Sequence, residues 1–307
     1  MKSGEDDSGL VLRKPAWLKR KIPAGAGYRE IRRLLETGKL HTVCQEALCP
    51  NLGECFCRGT ATFLILGDRC TRNCRFCAVG HGPSGPLDPG EPARVAEAVE
   101  ELGLGYVVIT SVTRDDLPDG GAGVFAETVR EIRRRTPHAI AELLIPDFGG
   151  SAEALQVVLE SLPDVLNHNL ETVPRLYDSV RPGAIYGRSL RLLQLVKECD
   201  PAIPTKSGLM LGLGETAEEI RQTLRDLLDV GCDILTLGQY LRPTREHLPV
   251  ERFIEPGEFD QWRAAALKMG FGQVASGPLV RSSYRARELY ETVMTRSVAV
   301  IRRRSYR

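Results

Sequence analysis

No run of apolar residues in this 307-residue chain approaches the roughly 20 needed to cross a bilayer, which argues against an integral membrane protein. An excess of charge is missing as well. Lys plus Arg number 41 against 40 Asp plus Glu, so no global field draws the chain to nucleic acid or to an anionic membrane, and neither is expected as a partner. The opening stretch MKSGEDDSGL lacks the apolar core of a secretory signal and the acid-poor, Arg-rich character of an organellar transit peptide. The expectation is a soluble, cytoplasmic protein in a reducing compartment, where clustered cysteines serve as metal ligands or catalytic thiols rather than as disulfides. Basic runs at Arg32-Arg33, Arg133 to Arg135 and Arg302 to Arg304 read as solvated helix faces or a terminal tail.

What is present is an ordinary globular composition, 42% hydrophobic and 26% charged, with length enough for one barrel-sized core. Residues 1–60 read as an extension rich in Gly, Pro, Lys and Arg, with a helix over 28–36 on which Ile31, Leu34 and Leu35 share a face. From residue 61 the pattern becomes short apolar runs alternating with amphipathic stretches. The runs 61–66, 106–110, 140–145, 165–170, 207–211 and 234–237 read as buried parallel strands. Helices are expected over 92–102, 124–135, 152–161, 189–198 and 217–230, with Pro92 early in its helix and Gly103 and Gly231 just past the ends of theirs. Repeated strand–helix units with right-handed crossovers predict an α/β fold, a partial (β/α)6 TIM-type barrel over 61–275, with working loops at the C-terminal strand ends. An open doubly wound sheet is the alternative. Residues 276–307 form a C-terminal extension, with a helix expected around 288–296.

All but two of the nine cysteines fall between Cys44 and Cys77, a density that scattered small buried hydrophobes would not produce. The tighter group, Cys70-Thr-Arg-Asn-Cys74-Arg-Phe-Cys77, follows the first barrel strand. Three thiolates on one loop can hold three irons of a [4Fe–4S] cube and leave the fourth open as a reaction site. Structural zinc wants four ligands, and this group offers three. The looser group, Cys44, Cys49 and Cys55, lies in the extension, with Cys57 beside it as a spectator. Cys199 and Cys232 read as small buried residues. Among the histidines, His41, His81, His138, His168 and His247, no ligand spacing occurs, and a surface or structural role is expected.

The spacing of three and then two residues, with Phe76 before the last cysteine, resembles the signature of the radical S-adenosylmethionine superfamily. Together with the second triplet and Arg281-Ser-Ser-Tyr284, it closely resembles the lipoyl synthase family. Further stretches share that resemblance over roughly residues 11–290: KPAWL at Lys14, TSVTRDDLPDGG at Thr110, NHNLETVPRLY at Asn167 and GQYLRPT at Gly238.

The resemblance implies two [4Fe–4S] clusters and S-adenosylmethionine as cofactors. Cys70, Cys74 and Cys77 would hold the reducing cluster. Cys44, Cys49, Cys55 and Ser283, with Ser282 as the less favoured candidate, would hold an auxiliary cluster. A serine oxygen is a harder and weaker ligand to such iron than thiolate, which suits a cluster that must be dismantled. Gly208, Met210, Gly212 and Glu215 match the superfamily's adenine-side motif, with Met210 in its Ile position and glycines admitting a close backbone approach. Thr110 and Ser111 stand where the superfamily usually carries Gly-Gly-Glu, and Asn169 and Glu171 are placed to meet the ribose or the ammonium.

The implied activity is radical insertion of two sulfurs, at carbons 6 and 8 of a protein-bound octanoyl-lysine. The implied partners are octanoylated lipoyl domains of 2-oxoacid dehydrogenases, the glycine cleavage H protein, and a flavodoxin or ferredoxin donor. Two other readings stay open at this point: a different two-cluster sulfur inserter such as a methylthiotransferase or biotin synthase, and a non-enzymatic iron–sulfur or zinc sensor.

Overall fold

A computed structural model describes residues 13–19, 26–46, 49, 51 and 62–304. Ten strands are seen among them: β1 His41–Thr42, β2 Thr62–Ile65, β3 Arg69–Cys70, β4 Gly80–His81, β5 Tyr106–Ser111, β6 Ile140–Leu144, β7 Val165–Asn167, β8 Thr205–Leu211, β9 Ile234–Gln239 and β10 Gln273–Gly277. Strands β3 and β4 pair only with each other, and the other eight form one sheet in the order β1-β2-β5-β6-β7-β8-β9-β10. Within it β1 runs antiparallel to β2 and all other pairings are parallel. Both β2 and β9 are buried at every position, as strands covered on both faces must be, and this is why they read as unbroken apolar runs.

Helices Glu91–Glu101, Ala122–Arg135, Ala152–Leu159, Tyr186–Cys199, Ala217–Asp229 and Pro256–Met269 follow the parallel strands β2 and β5 to β9 in turn. The expected strand–helix repeat is therefore present, and the sheet is a partial barrel of the TIM type. Two elements went unread in the sequence. The helix Pro256–Met269 buries only Phe259, Trp262 and Ala266, too thin a stripe to stand out. Strand β10 is a seventh parallel strand in register with β9, from Gln273 opposite Ile234 to Gly277 opposite Gly238, so pairing continues to Gly277, past the expected boundary at 275. The run expected as a strand to 170 ends as regular strand at Asn167 and rejoins β8 through a single bridge, Glu171 to Leu209, where Glu171 adopts the left-handed region (φ 67°).

The two ends of the barrel differ. At the N-terminal end the helix Ala286–Arg304 packs Leu289 and Val293 on Ile234, and the Tyr290 ring lies 6.1 Å from that of Tyr106. Behind this plug, the interior carries a buried polar knot. Lys206 Nζ on β8 lies 2.8 and 3.1 Å from the two Glu142 carboxylate oxygens on β6, which also accept from Tyr106 OH (2.6 Å) and Asn167 Nδ2 (2.9 Å). Four strands are pinned by one carboxylate. The C-terminal end is left to the loops.

Because both charges of this pair are removed from water, deleting one strands the other. Lys206→Met should lose about 3–5 kcal/mol of stability in a denaturant titration, whereas the double change Lys206→Met with Glu142→Leu should recover only part of that loss, because Tyr106 OH and Asn167 Nδ2 then lose their acceptor.

Candidate functional site

The loops at the C-terminal strand ends enclose a chamber of about 680 Å³, within the range of small-molecule and cofactor sites. Its wall receives Cys70, Cys74 and Cys77 from the loop after β2, and Cys44 and Cys49 from the N-terminal segment. Thr110, Ser111, Asn169, Glu171, Gly208 and Met210 reach it from β5, β7 and β8 and their ends, and Ser282 and Ser283 from the turn after β10. Phe76 also lines it while packing toward Tyr240 and Val180. Cys55 and Cys57 lie outside the described residues.

The Cys70–Cys77 loop is held on three sides. Toward β5, the Thr71 hydroxyl donates to Thr113 O (3.0 Å) and accepts from the Asp115 N–H (3.0 Å). Toward β6, Arg72 places its fork on both Asp115 oxygens (2.7 and 2.8 Å) and on Asp147 Oδ1 (2.6 Å). On the far side, Arg75 N–H donates to Val180 O (2.9 Å), Leu248 N–H donates to Arg75 O (3.1 Å), and His247 Nε2 lies 3.0 Å from Cys77 O. That carbonyl can only accept, so Nε2 carries hydrogen and Nδ1 accepts from the Thr244 hydroxyl at 2.8 Å. His247 thus has a structural role, as expected. Burial works against the Asp147 carboxylate, yet the Arg72 guanidinium prevails and holds it down at about 2.

Burial pushes the Cys77 thiol up to about 12 and raises Cys74, with Arg181 opposing the rise at Cys74. Deprotonation there has to accompany iron binding. Cys70 Sγ already accepts N–H groups of Thr113 (3.3 Å) and Arg72 (3.4 Å), donors of the kind that stabilise cluster sulfur. Among the described residues no three Cys, His, Asp or Glu side chains converge on a single point. Cys70, Cys74 and Cys77 stand within electrostatic reach of one another, a three-thiolate set of the kind that can hold three irons of a cube.

Polar atoms left without partners show what else the chamber would take. Thr110 spends its hydroxyl hydrogen on Leu144 O (2.8 Å), while Ser111 Oγ is buried with no partner. Asn169 Oδ1 and Arg181 Nε are likewise buried and unpartnered. A built site of this kind fits a ligand carrying several hydrogen-bonding groups, as a nucleoside with an amino-acid tail does. Gly208 keeps the wall clear, since a Cβ there would lie 2.6 Å from Thr236 Oγ1 and 2.9 Å from Asn169 Oδ1. Met210 offers an apolar face.

Gly212 and Glu215 are not among the lining residues. The Glu215 carboxylate accepts the N–H groups of Gly212 (2.5 Å) and Leu213 (2.9 Å), and Gly212 has φ 99° with a carbonyl where a Cβ would stand. They build the turn beyond Met210 and do not form the wall.

Two arginines complete the site: Arg181, which the sequence left unremarked, and Arg281, named there only as the first residue of the serine run. Arg181 donates to Asn169 O (2.8 Å) and Leu170 O (3.0 Å) and faces both Glu171 and Cys74. Arg281 lines the chamber and faces Cys49 and Glu171. Glu171 therefore stands between two cations, each turned toward a different cysteine triplet. No spacing rule could have found them, because the loops that carry them meet only through the barrel.

Two cysteines of the second triplet, Cys44 and Cys49, reach the chamber through the sheet edge. Strand β1 pairs with β2, which sets Cys44 on the short helix Val43–Glu46 at the rim. Asn51 is buried and donates to Leu279 O (2.6 Å), tying this segment to the turn that carries Ser282 and Ser283. The two serines differ: Ser282 Oγ accepts from Asn169 Nδ2 (2.6 Å), while Ser283 lines the chamber beside it.

Comparison with known proteins gives a consistent picture. The radical SAM superfamily matches residues 64–227, and the N-terminal domain of lipoyl synthase of that family matches residues 3–49. A lipoyl synthase of Syntrophotalea carbinolica is 59% identical over 282 residues, 92% of this chain and 91% of its own length. One of Rubrobacter xylanophilus is 57% identical over 278 residues, covering 91% and 87%. Among solved structures, HydG, a maturase of the FeFe-hydrogenase, superposes with a TM-score of 0.56 at 15% identity over 88% of this chain and 72% of that one, a likeness of fold.

His168, next to Asn169, gives a pH test of the chamber floor. Burial drives its pKa from 6.5 to about 4, and the neutral ring bridges Ile145 O (2.8 Å) and Ser189 Oγ (3.0 Å). The unfolded chain takes up the proton first, so stability present above pH 6.5 is lost as pH falls toward 4. Denaturant titrations should show a loss of about 2 kcal/mol between pH 7 and pH 5, absent from His168→Gln.

Proposed function

The chain belongs to the lipoyl synthase family of the radical S-adenosylmethionine superfamily, and on that premise we propose how its residues divide the reaction. It is a sulfurtransferase that inserts sulfur at carbons 6 and 8 of an octanoyl chain carried on a protein lysine. Similarity over nine-tenths of the chain sets aside the methylthiotransferase, biotin synthase and sensor alternatives. When bound, a [4Fe–4S] cluster held by Cys70, Cys74 and Cys77 with S-adenosylmethionine would supply the radical chemistry at the acyl chain, and a second cluster held by the other triplet would supply the sulfur.

Cys70, Cys74 and Cys77 hold the reducing cluster, with Arg181 compensating charge at Cys74. Ser111 Oγ, Asn169 Oδ1 and Glu171 receive the polar groups of the nucleoside and its methionine tail, Thr110 braces Ser111, and Gly208, Met210 and Phe76 shape the apolar wall. Gly212 and Glu215 hold the turn that presents Met210. Cys44, Cys49, Cys55 and Ser283 hold the second cluster, and Ser283 is favoured over Ser282 because the hydroxyl of Ser282 is engaged by Asn169.

The observation that carries this reading is that one chamber receives side chains of both triplets, both serines and the orphaned polar atoms. A carbon radical attacks nearly any neighbour, so the chamber's contribution is to exclude water and fix the distance between the acyl chain and the sulfur donor. In the proposed division 1–60 brings the second triplet and 276–307 the serine turn, with the barrel of 61–275 extended to Gly277 by the pairing of β10. The partners that fit are octanoylated lipoyl domains of 2-oxoacid dehydrogenases and the glycine cleavage H protein, with a flavodoxin or ferredoxin as reductant, in the cytoplasm. No described helix is long and apolar enough to cross a membrane.

Anaerobic incubation of reduced protein with S-adenosylmethionine and an octanoyl-lysyl peptide should yield 5′-deoxyadenosine and a peptide that gains two sulfurs. Deoxyadenosine without a change in peptide mass would overturn the substrate. Cys74→Ala should abolish both products. Ser283→Ala should leave deoxyadenosine formation within about twofold and cut sulfur insertion by at least tenfold, whereas equal loss of both would remove Ser283 from the second cluster.

A further inference from the structure

Ser282 and Ser283 are the two central residues of a turn closed by Tyr284 N–H donating to Arg281 O (2.9 Å). One flank of the turn is seated on β9, where Gly238 leaves room for Val280 O, which would lie 2.1 Å from a Cβ at that position. Across the chamber Asn169 Nδ2 donates to Ser282 Oγ at 2.6 Å, and Arg281 at the start of the turn faces Glu171. The second hydrogen of the same amide goes to Glu171 Oε1 (2.9 Å). A carboxylate only accepts, so this contact fixes which end of the amide is nitrogen. The remaining atom, Asn169 Oδ1, is buried and without a partner beside Gly208. The backbone carbonyl of Asn169 accepts from Arg181 at 2.8 Å.

We infer that Ser282 is a positioning residue that couples the nucleoside site to the second cluster. A donor group arriving at Asn169 Oδ1 locks the amide, the amide holds the Ser282 hydroxyl, and the turn then presents Ser283 to the chamber. The coupling runs both ways, because a free-energy link between two sites is reciprocal: a second cluster held through Ser283 orders the same turn and raises affinity for the nucleoside by the factor that the nucleoside strengthens the cluster's hold. This gives the chain a means of making nucleoside binding report whether sulfur remains to be donated. The inference rests on the assignment of Cys44, Cys49, Cys55 and Ser283 to the second cluster.

The test is a double-mutant cycle read by S-adenosylmethionine affinity, measured by equilibrium dialysis of anaerobic, unreduced full-length protein, together with iron content. Wild type, Ser282→Ala and Ser282→Thr are each compared with and without replacement of Cys44, Cys49 and Cys55 by Ala. In wild type and in Ser282→Thr, which keeps the hydroxyl, the cysteine replacement should weaken nucleoside binding roughly fivefold or more. In Ser282→Ala it should change binding by less than about twofold, with binding already weak. Ser282→Gly, which deletes the same hydroxyl from a turn that accepts glycine, should behave as Ser282→Ala does. Equal weakening in all backgrounds, or none in wild type, would overturn the coupling. An iron content that does not fall on replacing the three cysteines would overturn the cluster assignment instead, and the coupling with it.

Discussion

The guanidinium of Arg72 is the contact on which the site depends. It lies inside the first cysteine motif, only 9% exposed, and its fork spans Asp115 beyond β5 and Asp147 beyond β6. A loop bearing three cysteines is otherwise a short excursion with little apolar surface to bury. Charge-assisted, bidentate pairing supplies direction as well as energy, so the loop takes one orientation relative to two strand ends. Lys in its place would bring a single point charge and could not span the two carboxylates in the same way. Everything that must face Cys74 from the other side, Arg181 and Glu171 above all, is useful only because the loop is fixed.

A second constraint is topological. The N-terminal segment and the C-terminal turn lie more than 200 residues apart in the chain, yet Asn51 and Leu279 are joined by a hydrogen bond with a sequence separation of 228. Strand β1 provides the other tie, adding antiparallel to β2 at the sheet edge and carrying Cys44 to the chamber rim. The open side of a partial barrel is what allows both extensions to enter the same space.

The charges in the chamber are arranged around an acid. Glu171 stands in the left-handed backbone region, a conformation that costs an L residue about 1 kcal/mol or more, and its own N–H and C=O are bonded to Gly208 and Met210 of β8. The strain is held by that backbone pairing. Its effect is to turn the carboxylate into the chamber between Arg181 and Arg281, where each arginine also faces a cysteine of a different triplet.

The cysteine spacings and the run of buried strands were legible in the sequence, because each is local: a loop ligand set and a period of burial; the serine pair was named only through the family resemblance. The sequence by itself determined that Cys70, Cys74 and Cys77 share one loop after a buried strand, and that a partial barrel carries them. It could not show that Thr110 has its hydroxyl committed to Leu144 while Ser111 is left free, nor that Gly212 and Glu215 build a turn and stay out of the wall. The helix Pro256–Met269 and strand β10 were hidden for a related reason, since their burial is set by neighbours and not by their own periodicity. Only the tertiary structure decided that Asn169, Arg181, Arg281 and Ser282 meet in one chamber. Hydrogen bonds and ion pairs between residues tens to hundreds of positions apart depend on where strands end in space, and composition and spacing carry no record of that.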